Sequence, residues 1–462
     1  MTEPQRPQAP FIPPSDNEPP IPNKPGLVFR VPGFTRLFSA QVVSSIGDWT
    51  GLVAIIALAN NLSTNAVGLV MIARMLPGFL LAPIGGALVD RWNRKVVMVS
   101  ADIGRAGLLV LLPFWSNLLG LVVISFSIEV LTLLWGPAKD ATVPNIVKDP
   151  DQLGTANSLG LFAAFGTFPI GSLLFALLAS VSAFVGNFHA LRVIHPQQSS
   201  LAIWMDALTF VASAILISGL HLTKNDHHSR EPQTAKQTWR DVVEGLRYIR
   251  ADALVRGVMI GLAGGLLGGG AIVPLGAVFA KDILGASASG YGFLTTALGV
   301  GAAIGVVTLL WLQRRLHRPN VFTWSVIVTG LAVGVLAWVS TLALAILFVA
   351  IVGAGAGCAY VTGFTLLQES TSDDMRGRIF GTLYTIVRVC LLLSLTLGPF
   401  IASAFDAFSS KVTSGSVDIG TATLGLPGVR LALWFGGAVT VLSGVAARRR
   451  MRRSDFVEAR PT

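Results

Sequence analysis

Between Val321 and Leu367 the chain runs 47 positions without a charged residue. At 1.5 Å per residue a helix that long reaches roughly 70 Å, about twice what the roughly 30 Å hydrocarbon core of a bilayer accepts. Such a stretch has to cross lipid twice, and Ser340-Thr341 is the natural turn. Applied along the whole chain, the same ruler places spans at 34–59, 66–89, 96–116, 118–138, 156–185 and 200–221. A polar interval follows, then spans at 254–280, 288–312, 321–339, 342–367, 376–404 and 428–447. The expected fold class is an all-α polytopic membrane protein with twelve transmembrane helices. Composition agrees, since 13% of residues are charged against about 25% in a soluble domain.

The connecting turns sort by charge. One alternate set carries Arg91/Arg94/Lys95, Lys139/Lys148, Lys224 to Arg256, Arg314/Arg315/Arg318, Arg376/Arg378 and Arg448 to Arg453. The other set is nearly free of cations, holding only Arg192, Lys281 and Lys411. An even number of spans with both termini in the cytoplasm produces this pattern by the positive-inside rule. The net charge of +10 therefore reads as membrane topology. Nucleic acid is not an expected partner, because no polar domain gathers the cations on one face.

The organisation reads as five segments. Residues 1–33 form a disordered proline-rich cytoplasmic tail. Residues 34–221 hold six spans, 222–253 a cytoplasmic connector, 254–447 six more spans, and 448–462 a basic cytoplasmic tail. Within the connector, Trp239, Val242, Val243, Leu246 and Ile249 share one helical face, which predicts an amphipathic helix on the inner membrane surface. Cys358 and Cys390 lie in apolar runs, and the six histidines have no metal-site or triad spacing. The expectation is no enzyme, no metal and no cofactor.

Charge inside lipid costs about 2.5–3.5 kcal/mol on insertion scales, so such groups pair or line a wet cavity. Counting from the outer turns puts Asp48 and Arg74 at similar depth, roughly 18–21 Å down. Arg105 and Glu129 come out about 18 Å below the next outer turn, and Asp102 is one helical turn from Arg105. Two groups are expected: Asp48–Arg74 and Asp102–Arg105–Glu129. Arg388, midway along the eleventh span, either faces the cavity to attract an anion or reaches a carboxylate elsewhere. Asp206 reads as a packing or interfacial group near the outer end of its span. The run Gly261, Gly264, Gly265, Gly268, Gly269, Gly270 with Pro274 predicts a close-packed, bendable seventh span.

The basic turn Gly86-Ala-Leu-Val-Asp-Arg-Trp-Asn-Arg-Lys95 resembles the loop between helices 2 and 3 of major facilitator superfamily transporters, with Asn93 where glycine is usual. The resemblance implies two six-helix bundles around a central cavity. It implies a cytoplasmic gate in which Gly86, Asp90, Arg91, Arg94 and Lys95 meet the start of helix 11, Asp374-Met-Arg376-Gly-Arg378, with Asp140 a partner for Arg94. Helices 1 and 4 line the cavity in this superfamily, which makes Asp48 and Glu129 candidates for proton or cation sites; Arg74 and Arg388 join them as candidate cavity residues. Helix 3 is peripheral, so Asp102–Arg105 is expected to be structural. Gly166-Thr-Phe-Pro-Ile-Gly171 partly resembles an element of drug–proton antiporters.

Three further stretches, Phe34 to Asp48, Trp135 to Pro144 and Met375 to Gly381, resemble bacterial exporters of the enterobactin-exporter and macrolide-efflux type. That resemblance implies proton-coupled export of bulky amphipathic small molecules across the plasma (inner) membrane. The expected partners are a small-molecule substrate, protons and the lipid bilayer. A proton-coupled importer and a lysophospholipid flippase are alternatives on the same fold. A non-transporting scaffold fits less well, because a connector of roughly 30 residues is too short for the 50 or more of a folded output domain.

Overall fold

The computed structural model describes residues 25–81, 92–185, 199–220, 247, 249–250, 252–312, 317–371, 373–413, 416–419, 422–425 and 427–458. The first half comprises α1 (Pro32–Leu62), α2 (Thr64–Leu80), α3 (Arg94–Leu111), α4 (Leu118–Ile146), α5 (Pro150–Phe165), α6 (Phe168–Val185) and α7 (Ser200–Ser218). The second comprises α8 (Ala253–Gly269), α9 (Ile272–Asp282), α10 (Ala288–Leu312), α11 (Arg318–Leu336), α12 (Leu342–Ser370), α13 (Asp373–Thr413) and α14 (Gly428–Glu458). Among the described residues eleven helical segments are long and apolar enough to cross a membrane, taking α5–α6 and α8–α9 as one each. The shorter α2 is the twelfth.

Several helices start where a short polar side chain caps them. Asn93 accepts from the Lys95 and Val96 amides, Asn117 from Gly120 and Asp252 from Val255, each satisfying donors that a helix start leaves free. Ser340-Thr341 separates α11 from α12, where the charge-free run had to turn.

Two crossings are broken. α5 gives way to α6 at Gly166-Thr167, and α8 to α9 at Gly270-Ala271. Pro169 and Pro274 lack the N–H that would continue the ladder, so nearby carbonyls need other donors. Trp49 Nε1 on α1 donates to Ala164 O at 2.8 Å, and Ser394 Oγ on α13 donates to Leu267 O at 2.9 Å.

Several boundaries differ from the sequence reading. The end of the expected disordered tail is ordered: Pro25–Arg30 forms a 3-10 turn with Val28 fully buried and Phe29 packed on Phe34 and Phe38. The expected C-terminal basic tail begins inside α14, which continues to Glu458. An antiparallel hairpin, β1 (Ser416–Ile419) with β2 (Ala422–Gly425), interrupts the otherwise helical chain between α13 and α14. Residues 1–24 and nearly all of the connector lie outside the described residues.

Within the first half α1 packs on α7 and α6, α3 on α7 and α4, and α2 on α4. In the second, α10 packs on α12, α8 on α14, and α11 on both α12 and α14. Two extensive pairs join the halves, α6 with α10 and α2 with α13, with smaller contacts of α1 with α9 and α10 and of α2 with α9. At the end away from the termini, one apolar core runs through both halves, from Val53–Ala59 and Phe175 to Ile272–Ala280 and Tyr291. There Asn60 Nδ2 reaches across to Ala277 O at 3.1 Å. Towards the termini the core splits, with one cluster around Leu37, Met98 and Ala156 and another around Val258, Phe322 and Leu383. The halves are fused at one end and apart at the other.

Backbone proximity builds the tightest contact of the second half. A methyl group at Gly301 or Gly305 would strike the Ala350 or Ala354 carbonyl of α12, so only glycine lets these backbones meet. Gly301→Leu is expected to cost at least the ~1–3 kcal/mol typical of overpacking. Thermal unfolding in detergent should show a lowered midpoint, whereas Gly334→Ala, whose added methyl meets nothing within 4 Å, should leave it close to wild type.

Candidate functional site

The gap between the halves is a cavity of about 810 Å³. Its first-half wall carries Asp48, Arg74, Arg105, Glu129 and Lys139, together with Gln41, Trp49 and Trp135. Among the described residues its second-half wall holds no charged side chain; glycines at 261, 265, 269, 270, 299 and 353 stand there with Leu262, Val326, Leu391, Tyr360, Thr329 and Thr440. One wall offers charge and hydrogen bonds, the other a mainly apolar surface. Both helix breaks open onto it, through Ala164, Phe165 and Phe168 on one side and Gly269 to Val273 on the other.

Arg105 organises the charged wall. It is 1% exposed and pairs with Asp102, one turn away on α3. Its Nη1 lies 4.0 Å from Asp48 Oδ2 on α1 and donates to Thr132 Oγ1 on α4 at 3.4 Å. The guanidinium lies over the Phe210 ring of α7, 4.0 Å from its centroid, and 5.6 Å from that of Trp135 on α4. Asp102 is fully buried and accepts a hydrogen bond from Ser213 Oγ of α7 at 2.8 Å. One side chain thus ties four helices together.

This arrangement corrects the expected pairings. Asp48 pairs with Arg105, and no contact within 4.0 Å joins it to Arg74 among the described residues. Glu129 likewise makes no ion pair within 4.0 Å, although Arg74, Asp48 and Arg105 lie within Coulombic reach. The two expected groups are one network. Depth counting gave the right height for each charge but could not give its direction around the helix axis.

Asp206 is a buried packing group, as its reading had it, and lies within Coulombic reach of Asp48, Arg74 and Arg105. It is 3% exposed on α7, against Gly47 and Gly51 of α1, where a methyl group at either would collide with its carboxylate. Asp206, Thr209, Phe210 and Ser213 are all buried, at the i, i+3, i+4, i+7 positions of one helix face. That stripe, opposite Gly47-x-x-x-Gly51, was the available sequence signal.

Other candidates are placed as follows. Arg388 is exposed on α13 at i, i+3, i+7 spacing with Leu391 and Leu395, which line the cavity. Arg94 donates to Ala141 O at 2.8 Å rather than to Asp140, whose carboxylate meets Lys139 Nζ at 2.8 Å. Lys95 Nζ donates to Leu220 O at the end of α7. Gly86, Asp90 and Arg91 lie outside the described residues, as do the side chains of Arg376 and Arg378. No group of three or more metal-ligating side chains is found among the described residues.

Removing one partner of a buried pair strands the other charge, at about 3–5 kcal/mol. Arg105→Ala should therefore lower thermal stability and yield steeply. Adding Asp102→Ala should restore part of the loss, as read by unfolding midpoints of the single and double variants.

Comparison with known proteins agrees with this architecture. The chain matches the family described as transmembrane secretion effector over residues 27–402. It is 26% identical over 395 residues to the enterobactin exporter EntS of Shigella boydii serotype 4 (strain Sb227), covering 83% of this chain and 88% of that one. It is 24% identical over 416 residues to the MFS-type transporter YfiS of Bacillus subtilis (strain 168), covering 87% and 94%. Among solved structures, a bacterial homologue of the human lysosomal transporter Spinster superposes with TM-score 0.69 at 13% identity, covering 93% of this chain and 99% of that one. A bacterial homologue of the iron transporter ferroportin does so with TM-score 0.63 at 14% identity, covering 92% and 99%. The chain is a multi-pass membrane transporter, not an enzyme, and belongs to the transmembrane secretion effector family of the major facilitator superfamily.

Proposed function

We propose that this transporter exports bulky amphipathic small molecules in exchange for protons, by alternating access across the inner membrane. The observation carrying this reading is the two-faced cavity. Its size admits a drug-sized ligand, its apolar wall suits a hydrophobic body, and its charged wall suits a polar end. The cation-rich end that bears both termini is the cytoplasmic end by the positive-inside rule, so the cavity opens inward. The fused outer core closes the other side. Bending at the two helix breaks and rocking about α2–α13 and α6–α10 would reverse the opening.

The charged network supports proton coupling. Protonating a carboxylate beside Arg105 weakens an ion pair that holds α1 to α3, which links proton uptake to bundle movement. The enterobactin exporter among the relatives supports export and a substrate of the siderophore, macrolide or drug class. The gate motif at Gly86, Asp90 and Arg91, with Arg376 and Arg378, is proposed to latch the cytoplasmic side in the opposite state.

Everted membrane vesicles with an imposed inside-acid gradient test this with enterobactin, erythromycin and ethidium as probes. Uptake that collapses with a protonophore is expected for at least one of them. Glu129→Gln should reduce that uptake by about ten- to a hundredfold, the range of a lost charge interaction of about 1.4–2.7 kcal/mol. Accumulation driven in the import direction would overturn the export reading.

A further inference from the structure

We infer that Asp206 is the carboxylic acid that carries the exchanged proton, with Arg105 as the counter-ion it acquires on deprotonation. This rests on the proton-coupled reading above and names its site.

The network holds four carboxylates, Asp48, Asp102, Glu129 and Asp206, against two guanidiniums, Arg74 and Arg105. If all were ionised, two negative charges would be left uncompensated in a low-dielectric interior, which is costly enough that a group takes a proton instead. The geometry selects which one. Asp48 and Asp102 both pair with Arg105. Glu129 is only partly buried, lines the cavity, and has Arg74 as its strongest cationic neighbour. Asp206 is buried and, among the described residues, makes no ion pair within 4.0 Å and accepts at Oδ1 only a long 3.4 Å hydrogen bond from Thr209. The glycine pair of α1 brings backbone, not a charged side chain, against its carboxylate.

The groups facing it are few. α1 contributes Asp48, α2 Arg74 and α3 Arg105; Asp102 of α3 is held by Arg105 and by Ser213 of α7, and α6 has no ionisable residue. A second observation comes from Arg105, whose buried Nε–H has no acceptor. That spare donor, with the loose 4.0 Å contact to Asp48, leaves the guanidinium free to take another carboxylate. In the transfer, the O–H bond of Asp206 breaks and one forms on Asp48, which lines the cavity and passes the proton to water. While Asp48 holds the proton it is neutral, Asp206 is an anion, Arg105 shifts from one to the other, and α1 loses its tie to α3. When water takes the proton Asp48 is an anion again, so charge and protons balance in each step.

Infrared spectroscopy of the purified transporter in lipid nanodiscs tests this without a transported substrate. Near neutral pH a protonated-carboxyl C=O stretch is expected that shifts on carbon-13 labelling of aspartate. It should be lost in Asp206→Asn, move in Gly51→Ala and persist in Asp102→Asn. Absence of an aspartate-derived band in the wild type overturns the inference even if the variants fail to fold. Persistence of the band in Asp206→Asn overturns it as well. In proteoliposomes, Asp206→Asn should abolish gradient-driven ethidium accumulation while ethidium counterflow continues. Gradient-driven transport intact in both wild type and Asp206→Asn refutes the site alone. Gradient-independent transport by the wild type, with the band present, refutes the coupling reading alone.

Discussion

A guanidinium cannot sit in lipid alone, and the first half of this protein is assembled around that constraint. Arg105 meets Asp102 on its own helix, Asp48 on α1, Thr132 on α4 and the Phe210 ring on α7. Apolar packing between helices is weakly directional in a bilayer, where lipid tails compete on equal terms. A buried arginine is directional, because its planar fork fixes where each partner must stand. The network therefore sets the rotation of four helices at once, including α1, which faces both the cavity and the other half.

The second half is built on a different principle. Among the described residues its cavity wall carries no charge, and α10 and α12 approach through glycines set against backbone carbonyls. Close backbone contact maximises dispersion without fixing charge, so this half presents a mainly apolar surface with a few hydroxyls, from Thr329, Tyr360 and Thr440. Chemistry sits on one wall and fit on the other. A cavity of this kind discriminates a ligand's polar end more sharply than its apolar body, as an added or missing methylene is worth only about 1–3 kcal/mol.

The sequence carried the architecture well because lipid reduces it to counting. Span positions, the Ser340-Thr341 turn, the Asp102–Arg105 pair and the bend after Gly268-Gly-Gly270 all follow from lengths, adjacent turns and glycine density. Asp48 and Asp206 were harder. Counting residues from a loop gives depth, whereas partner choice depends on how helices turn and which ones touch, and α1 packs on α7 rather than presenting Asp48 to Arg74. Asp206 lost its signal to the small residues opposite it, since two glycines four apart are ordinary in a membrane helix. Arg94 instead caps the Ala141 carbonyl of α4, while Asp140 meets its sequence neighbour Lys139.

The undivided outer core has an electrical consequence. With an aqueous vestibule on one side and only that plug on the other, nearly all of the membrane voltage falls across the plug. The Asp48–Asp206 region then sits at the potential of the compartment it opens to, and switching which side is plugged moves the field past the charges rather than the charges through the field. In the proposed exchange a proton held there would gain about 2.3 kcal/mol per 100 mV while travelling hardly any distance, which would make the resting potential, as well as the pH difference, available to drive the cycle.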